Sequence, residues 1–178
     1  MTTGAFVNNG RIGVNVAATG STTPEWQVGT RVEMSDGSEW IYIKASASAL
    51  IYDALAIIDS TTAQPITSTL GLRGVAVGIA QQALTSGSFY WVLTANPTPP
   101  TAPAGVPDST DNYKVKVLAS CAVDAKLATT STAGVLDDTT AGSVLRLDGI
   151  VLTDTNTASV SSARTFRTAI GGISWGAV

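Results

Sequence analysis

Ten aspartates offer most of the reactive chemistry in this chain: Asp36, Asp53, Asp59, Asp108, Asp111, Asp124, Asp137, Asp138, Asp148 and Asp154. Acid/base catalysis needs carboxylates that converge on one substrate. Most of these stand instead beside Gly, Thr or Ser at turn positions, where Asp bonds its own backbone. The chain has no His, which removes the commonest general base and metal ligand. Ser and Thr are plentiful, yet no lysine follows a serine at the Ser-x-x-Lys spacing of a dyad. The single cysteine, Cys121, lies in the apolar run Val117–Val123 and reads as a small buried hydrophobe. It admits no intrachain disulfide.

Two oxygen-rich segments bear on metal binding, Asp108–Asn112 and Asp138–Gly142. Neither has the spaced acids of an EF-hand calcium loop. Gly71-Leu72-Arg73-Gly74 lacks the lysine and following helix of a phosphate loop. We therefore expect no catalytic residue, no cofactor and no metal. Trp40, Tyr42, Tyr90 and Trp91 could build a platform for a sugar ring, but on strands they read first as packing.

Composition narrows the classes further. Of 178 residues, 44% are hydrophobic and only 13% charged, so a core is available while the surface is Thr- and Ser-rich. Such a surface suits strands and contact with other proteins better than long solvated helices. The net charge is −3, and the nearest thing to a basic cluster is Lys114 with Lys116. Phosphate-backbone binding needs more concentrated cations, so nucleic acid is not an expected partner. No apolar run approaches the ~20 residues of a membrane span. Met1 precedes neither a cationic nor an apolar leader region, so no signal peptide is expected, and a reducing cytoplasm is the expected site of synthesis.

The residues are organised by short β-rich runs between turn signals. Residues 30–34 alternate, Asp36-Gly37 makes a hairpin turn, and Glu39–Lys44 returns with Trp40 and Tyr42 on one face and Ile41 and Ile43 on the other. Residues 45–52 fit one or two helical turns or a loop. Ala54–Asp59 reads as a strand, and Ile66 opens a short return. Val75, Val77 and Ile79 share one face, with Ala76, Gly78 and Ala80 opposite, small enough for close backbone approach. Phe89–Leu93 is apolar on both faces, so it is central or covered.

Residues 96–112 hold five of the seven prolines and read as an extended loop. Runs then resume at 113–118, 119–123, 126–130, 135–136, 144–152 and 164–170. Asp53-Ala54 recurs as Asp124-Ala125, Ala63…Ile66 as Ala133…Leu136, and Gly78-Ile79 as Gly149-Ile150. These near-constant offsets imply two copies of one β unit, 31–95 and 113–178, joined by the Pro-rich loop and sharing a core. The fold class is all-β: two barrel-like repeats with an N-terminal arm over residues 1–30. A bland reading of the arm is a frayed end with one edge strand. A sharper one has it docking on a neighbouring molecule.

The ordered motifs Asp36-Gly37-Ser38-x-Trp40, ALIYDALAIID at 49–59, Pro65-Ile66-Thr67, Val77-Gly78-Ile79-Ala80-Gln81, Ser86-Gly87, Trp91-Val92 and ASCAVDAKLATTSTAGVLDD at 119–138 resemble the decoration (cement) proteins of tailed bacteriophage heads. The resemblance spans roughly residues 30–153. It implies a β-tulip-like fold, and binding to the major capsid protein on the outer face of the expanded icosahedral head. It also implies clustering as homotrimers, no catalysis, and a location on the virion after assembly in the host cytoplasm. The interface residues expected on this reading are Phe6, Val7, Ile12, Val14, Val16, Trp26, Trp91 and Trp175. The rival expectation is a host-surface or glycan-binding fibre module.

Overall fold

A computed structural model of the chain describes residues 14–34, 38–59, 61–70, 75–95, 114–122, 125–139, 145–152 and 160–166. Within these the fold is all-β, as expected. Strand β1 is Arg31–Glu33, β2 Glu39–Ala45, β3 Ala54–Ile58, β4 Thr62–Pro65, β5 Ala76–Ile79 and β6 Phe89–Ala95. The second half supplies β7 Lys114–Leu118, β8 Lys126–Thr129, β9 Leu136–Asp137, β10 Arg146–Leu152 and β11 Val160–Phe166.

The first sheet runs β1-β2-β4-β3-β5-β6, and β6 pairs back onto β2, so β2 to β6 form a ring. The second sheet closes as β10-β11-β7-β9-β8. The two rings have the same connectivity. In each, the first strand lies parallel to the third and antiparallel to the fifth. The second strand lies antiparallel to the third and fourth, and the fourth to the fifth. The sequence marker at 78/149 falls on equivalent strands, β5 and β10, and Asp53 immediately precedes β3, while Asp124 lies outside the described residues. The marker at 63/133 does not fall on equivalent strands. Thr62 pairs with Ile58, and its counterpart opposite Thr129 is Leu136. Leu136 thus takes the place of Thr62, not of Ile66.

Alternation explains the first ring. Ile41 and Ile43 enter one buried cluster with Leu55, Ile57, Tyr90 and Val92. Trp40 and Tyr42 enter another with Met34, Trp91 and Leu93. β6 is buried on both faces, which accounts for its unbroken apolar sequence. A Cβ at Gly78 would lie 2.5 Å from Val92 Cγ1 and 3.2 Å from the Leu93 carbonyl oxygen, so this ladder closes tightly only with glycine there. A third cluster joins Ala54, Ala56, Ile66 and Ile79 of the first half to Val115, Val117, Leu127, Leu136 and Leu152 of the second. The two rings therefore share a core, and burying each large aliphatic there contributes about 1.5–3 kcal/mol.

Of the two readings open for residues 45–52, the loop is the one observed: residues 46–53 form turns and a bridge, with backbone groups bonded to Ala63, Ala80 and Leu84. Other expectations need correction. Ile66 follows its return strand instead of opening it. It is fully buried, with its N–H bonded to the Ala54 carbonyl. The run 119–123 is not a strand where it is described, since Ser120 has φ of 67° and turns the chain. The last strand starts at Val160, ahead of the expected 164. It is set by its ladder with β7, where Val160 pairs with Leu118. The 96–112 loop lies outside the described residues, as do residues 1–13 of the arm.

Candidate interaction surface

Residues 14–30 run back across β2 and β6 as a strap. Val14 is buried in the cluster of Trp40, Tyr42 and Trp91, with Val16 packed on its margin. Ser21 and Phe89 exchange backbone hydrogen bonds of 3.3 and 2.8 Å. The Glu25 N–H donates to the Tyr42 hydroxyl at 3.2 Å, and Gln82 Nε2 donates to the Ala18 carbonyl at 3.0 Å. Trp26 stands edge-on to Trp91, ring centroids 6.1 Å apart, and the Tyr42 ring lies 5.0 Å from Trp91. The strap is what covers the second face of β6.

The expected interface residues divide accordingly. Val14 and Trp91 are buried within the chain's own fold, Val16 is half-buried, and Trp26 remains 39% exposed. Phe6, Val7, Ile12 and Trp175 lie outside the described residues. Alternation along β6 reveals an apolar face but not which segment covers it, and here the strap does. The sugar-platform aromatics are packing residues too. Trp40, Tyr42, Tyr90 and Trp91 are all buried. Their polar tips bond inward, Trp40 Nε1 to Ser38 Oγ at 2.9 Å and the Thr85 N–H to the Tyr90 hydroxyl at 2.9 Å.

Sequence reasoning missed the surface feature on the loop from β2 to β3. This loop is held along its length. Ser46 bonds the Ala63 carbonyl, Ala49 and Leu84 exchange backbone bonds of 3.0 and 2.9 Å, Ser48 Oγ accepts from Ser86, and the Tyr52 N–H donates to the Ala80 carbonyl. On that frame stand Leu50, 65% exposed, and Ile51, 43% exposed. At the spacing of 71 that relates Asp53 to Asp124, the loop from β7 to β8 has Cys121 and Ala122 where the first ring has Leu50 and Ile51, and Cys121 is buried while Ala122 is exposed. A large aliphatic is thus not needed to build this loop. The only sequence signal was the apolar triplet Leu50-Ile51-Tyr52 ahead of Asp53.

Asp53 closes the loop and ties the rings together. Its Oδ2 accepts from the Leu50 N–H at 2.7 Å, the expected turn role. Its Oδ1 lies 2.6 Å from Lys116 Nζ on β7, with side-chain exposures of 6% for Asp53 and 16% for Lys116. Next to it, Gly134 has φ of +77°, donates its N–H to the Ile66 carbonyl and accepts from the Ala54 N–H. Gln81 adds a pair of bonds to the backbone of Lys114. Asp53 and Lys116 are 63 residues apart, beyond any local pattern.

Cys121 is buried, as its sequence context implies. Its Sγ lies 3.5 Å from Asp137 Oδ1, the Ala122 N–H donates to Asp138 Oδ2, and the Asp138 N–H donates to Asp137 Oδ1. One ligand atom from each of Cys121, Asp137 and Asp138 lies within 4.8 Å of the others. Burial pushes the thiol up to about 11; a hydrogen bond from the Asp138 backbone opposes this, and the Asp138 and Asp137 carboxylates add to it. The sulfur is a protonated thiol at neutral pH, and these carboxylate oxygens serve the turn.

No protein-family model, no curated protein and no solved structure matches the chain. No helix among the described residues is long and apolar enough to cross a membrane.

Proposed function

We propose that the chain is a structural virion protein. It binds the outer face of an icosahedral phage capsid and stabilises the expanded head by bridging subunits of the major capsid protein, gathering there as homotrimers. The observation that carries this reading is the Leu50–Ile51 pair: two exposed aliphatics on a loop fixed by hydrogen bonds to β4, to Ala80 and Leu84 beyond β5, and to its own turn. A preorganised apolar knob loses little entropy on docking. Only 13% of the chain is charged, and the nearby Asp53 carboxylate is already paired with Lys116, so little desolvation opposes contact with another polypeptide.

The magnitudes favour a lattice over a single target. Full burial of a Leu or Ile contributes about 1.5–3 kcal/mol, and association costs at least ~4 kcal/mol in lost rigid-body freedom. One copy therefore binds weakly. Many copies touching two or three subunits each act together through high effective concentration. The test is co-sedimentation with expanded capsids stripped of the protein, followed by cryo-EM. Wild type decorates the shell. The double variant Leu50→Ser/Ile51→Ser melts within about 2 °C of wild type, because both sites are exposed, but loses at least about tenfold in binding. Wild-type protein that ignores expanded capsids, or a variant that binds as well, refutes the reading.

A further inference from the structure

Ring closure removes the free edges of a sheet. Each of β2 to β6 has a hydrogen-bonded neighbour on both sides, whereas β1 stands outside the ring and pairs, among the described residues, with β2 alone. The alternation of its bonds fixes which groups look outward. The Tyr42 N–H donates to the Thr30 carbonyl and the Met34 N–H to the Ser38 carbonyl, so residues 30, 32 and 34 turn their polar groups toward the hairpin. Arg31 and Glu33 then direct their backbone N–H and C=O groups away from the sheet. Both side chains are exposed, while Val32 is half-buried opposite Trp40.

The charge pattern decides what can add to this edge. Lysine on an edge strand repels a second copy and guards against pairing. Arg31-Val32-Glu33 lacks that guard. Laid antiparallel on itself about Val32, it sets Arg31 of each copy opposite Glu33 of the other, and those two positions carry the outward backbone groups. Opposite charges directly across an antiparallel ladder attract.

We infer that β1 pairs antiparallel with β1 of a second copy, joining two first rings by a two-fold contact with Arg31 against Glu33 in both directions. The contact comprises about four main-chain hydrogen bonds and two ion pairs. It is far smaller than the roughly 800 Å² per partner of a standard interface, so the pair is weak in dilute solution and forms where copies are held side by side. It concerns contact between copies, not with a capsid, and either proposal can fail alone.

Sedimentation equilibrium over a concentration series, with the full chain, tests it. Wild type self-associates, less so at high salt. Arg31→Glu and Glu33→Arg each set like charges opposite and weaken association at least about tenfold. The double variant Arg31→Glu/Glu33→Arg restores it, and a mixture of the two single variants associates more strongly than either alone. Both side chains are exposed, so melting curves should be unchanged, and the double variant keeps the test alive if one single variant folds poorly. Wild type that stays monomeric up to its solubility limit overturns the inference. So does association indifferent to the swaps, or a mixture no stronger than its components.

Discussion

Replacing Gly134 with alanine should damage the junction between the rings far more than a one-carbon change suggests. The backbone there has φ of +77°, a region that costs a residue with a Cβ about 1–2 kcal/mol. The new Cβ would also lie 2.6 Å from Asp53 Cγ, 2.7 Å from its Cβ and 2.9 Å from its Oδ2. These are not the tip of a free side chain. Asp53 Oδ1 holds Lys116 and Oδ2 holds the Leu50 N–H, so moving the carboxylate loosens both. Losing a buried hydrogen bond of this kind costs about 1–3 kcal/mol. The total is about 4 kcal/mol, or roughly 8–16 °C in melting temperature for a domain of this size.

Gly87 supplies the control. Its φ is +86°, but a Cβ there meets nothing within 4 Å, so Gly87→Ala incurs the backbone cost alone, about 1–2 kcal/mol. Gly134→Ala in an Asp53→Gly background should likewise fall to about that cost, because all three obstructing atoms, the Asp53 Cβ included, are then gone. Chemical denaturation of the four variants measures these differences. Equal losses at 134 and 87, or a Gly134→Ala loss unchanged by removing Asp53, would refute the steric argument.

Other outcomes follow from burial. Cys121 should resist a disulfide reagent in the native state at pH 8 and react at once when denatured. The fold favours its neutral thiol, so its contribution to stability is complete below about pH 9 and is lost as pH rises through about 11. Melting temperatures of wild type against Cys121→Ala across that window isolate this contribution from titrating Lys and Tyr. Trp91→Ala should cost about 3–5 kcal/mol, since it opens a cavity under the strap, whereas Trp26→Ala should cost about 1 kcal/mol. Thermal denaturation of the two distinguishes an inward from an outward role.

Much of the architecture is legible in local chemistry. Asp36-Gly37 with alternating flanks gives the β1–β2 hairpin, and the small face of Ala76, Gly78 and Ala80 gives the close approach seen at Gly78. The recurrence of Asp-Ala and Gly-Ile at one spacing exposes the duplication. The failures share a cause: they depend on which distant segment arrives. Val14 and Trp91 look like anchors for a neighbour because their apolar character is plain, while the strap that joins them to one cluster leaves no periodic mark. Ala119–Val123 is apolar enough for a strand, but Ser120 breaks it. Val160–Phe166 is too rich in Ser and Thr to stand out, yet it forms the ladder with β7 that closes the second ring.

Comparison of the two rings with each other indicates where function should be sought. Both must keep the same five ladders to close, and both contribute aliphatics to one shared core, so those positions are constrained by folding. What one ring has and the other lacks is not explained in this way. Among the described residues, the first ring alone carries an added edge strand, β1, and exposed bulk at Leu50 and Ile51. At the corresponding positions the second has Cys121 and Ala122, so a Leu–Ile pair is not what the shared turn requires. Asp53 serves the shared framework, since it braces the turn and holds Lys116 across the junction. The asymmetry therefore separates residues that the shared framework requires from residues that it does not, and the proposed contacts with other polypeptides both fall among the latter.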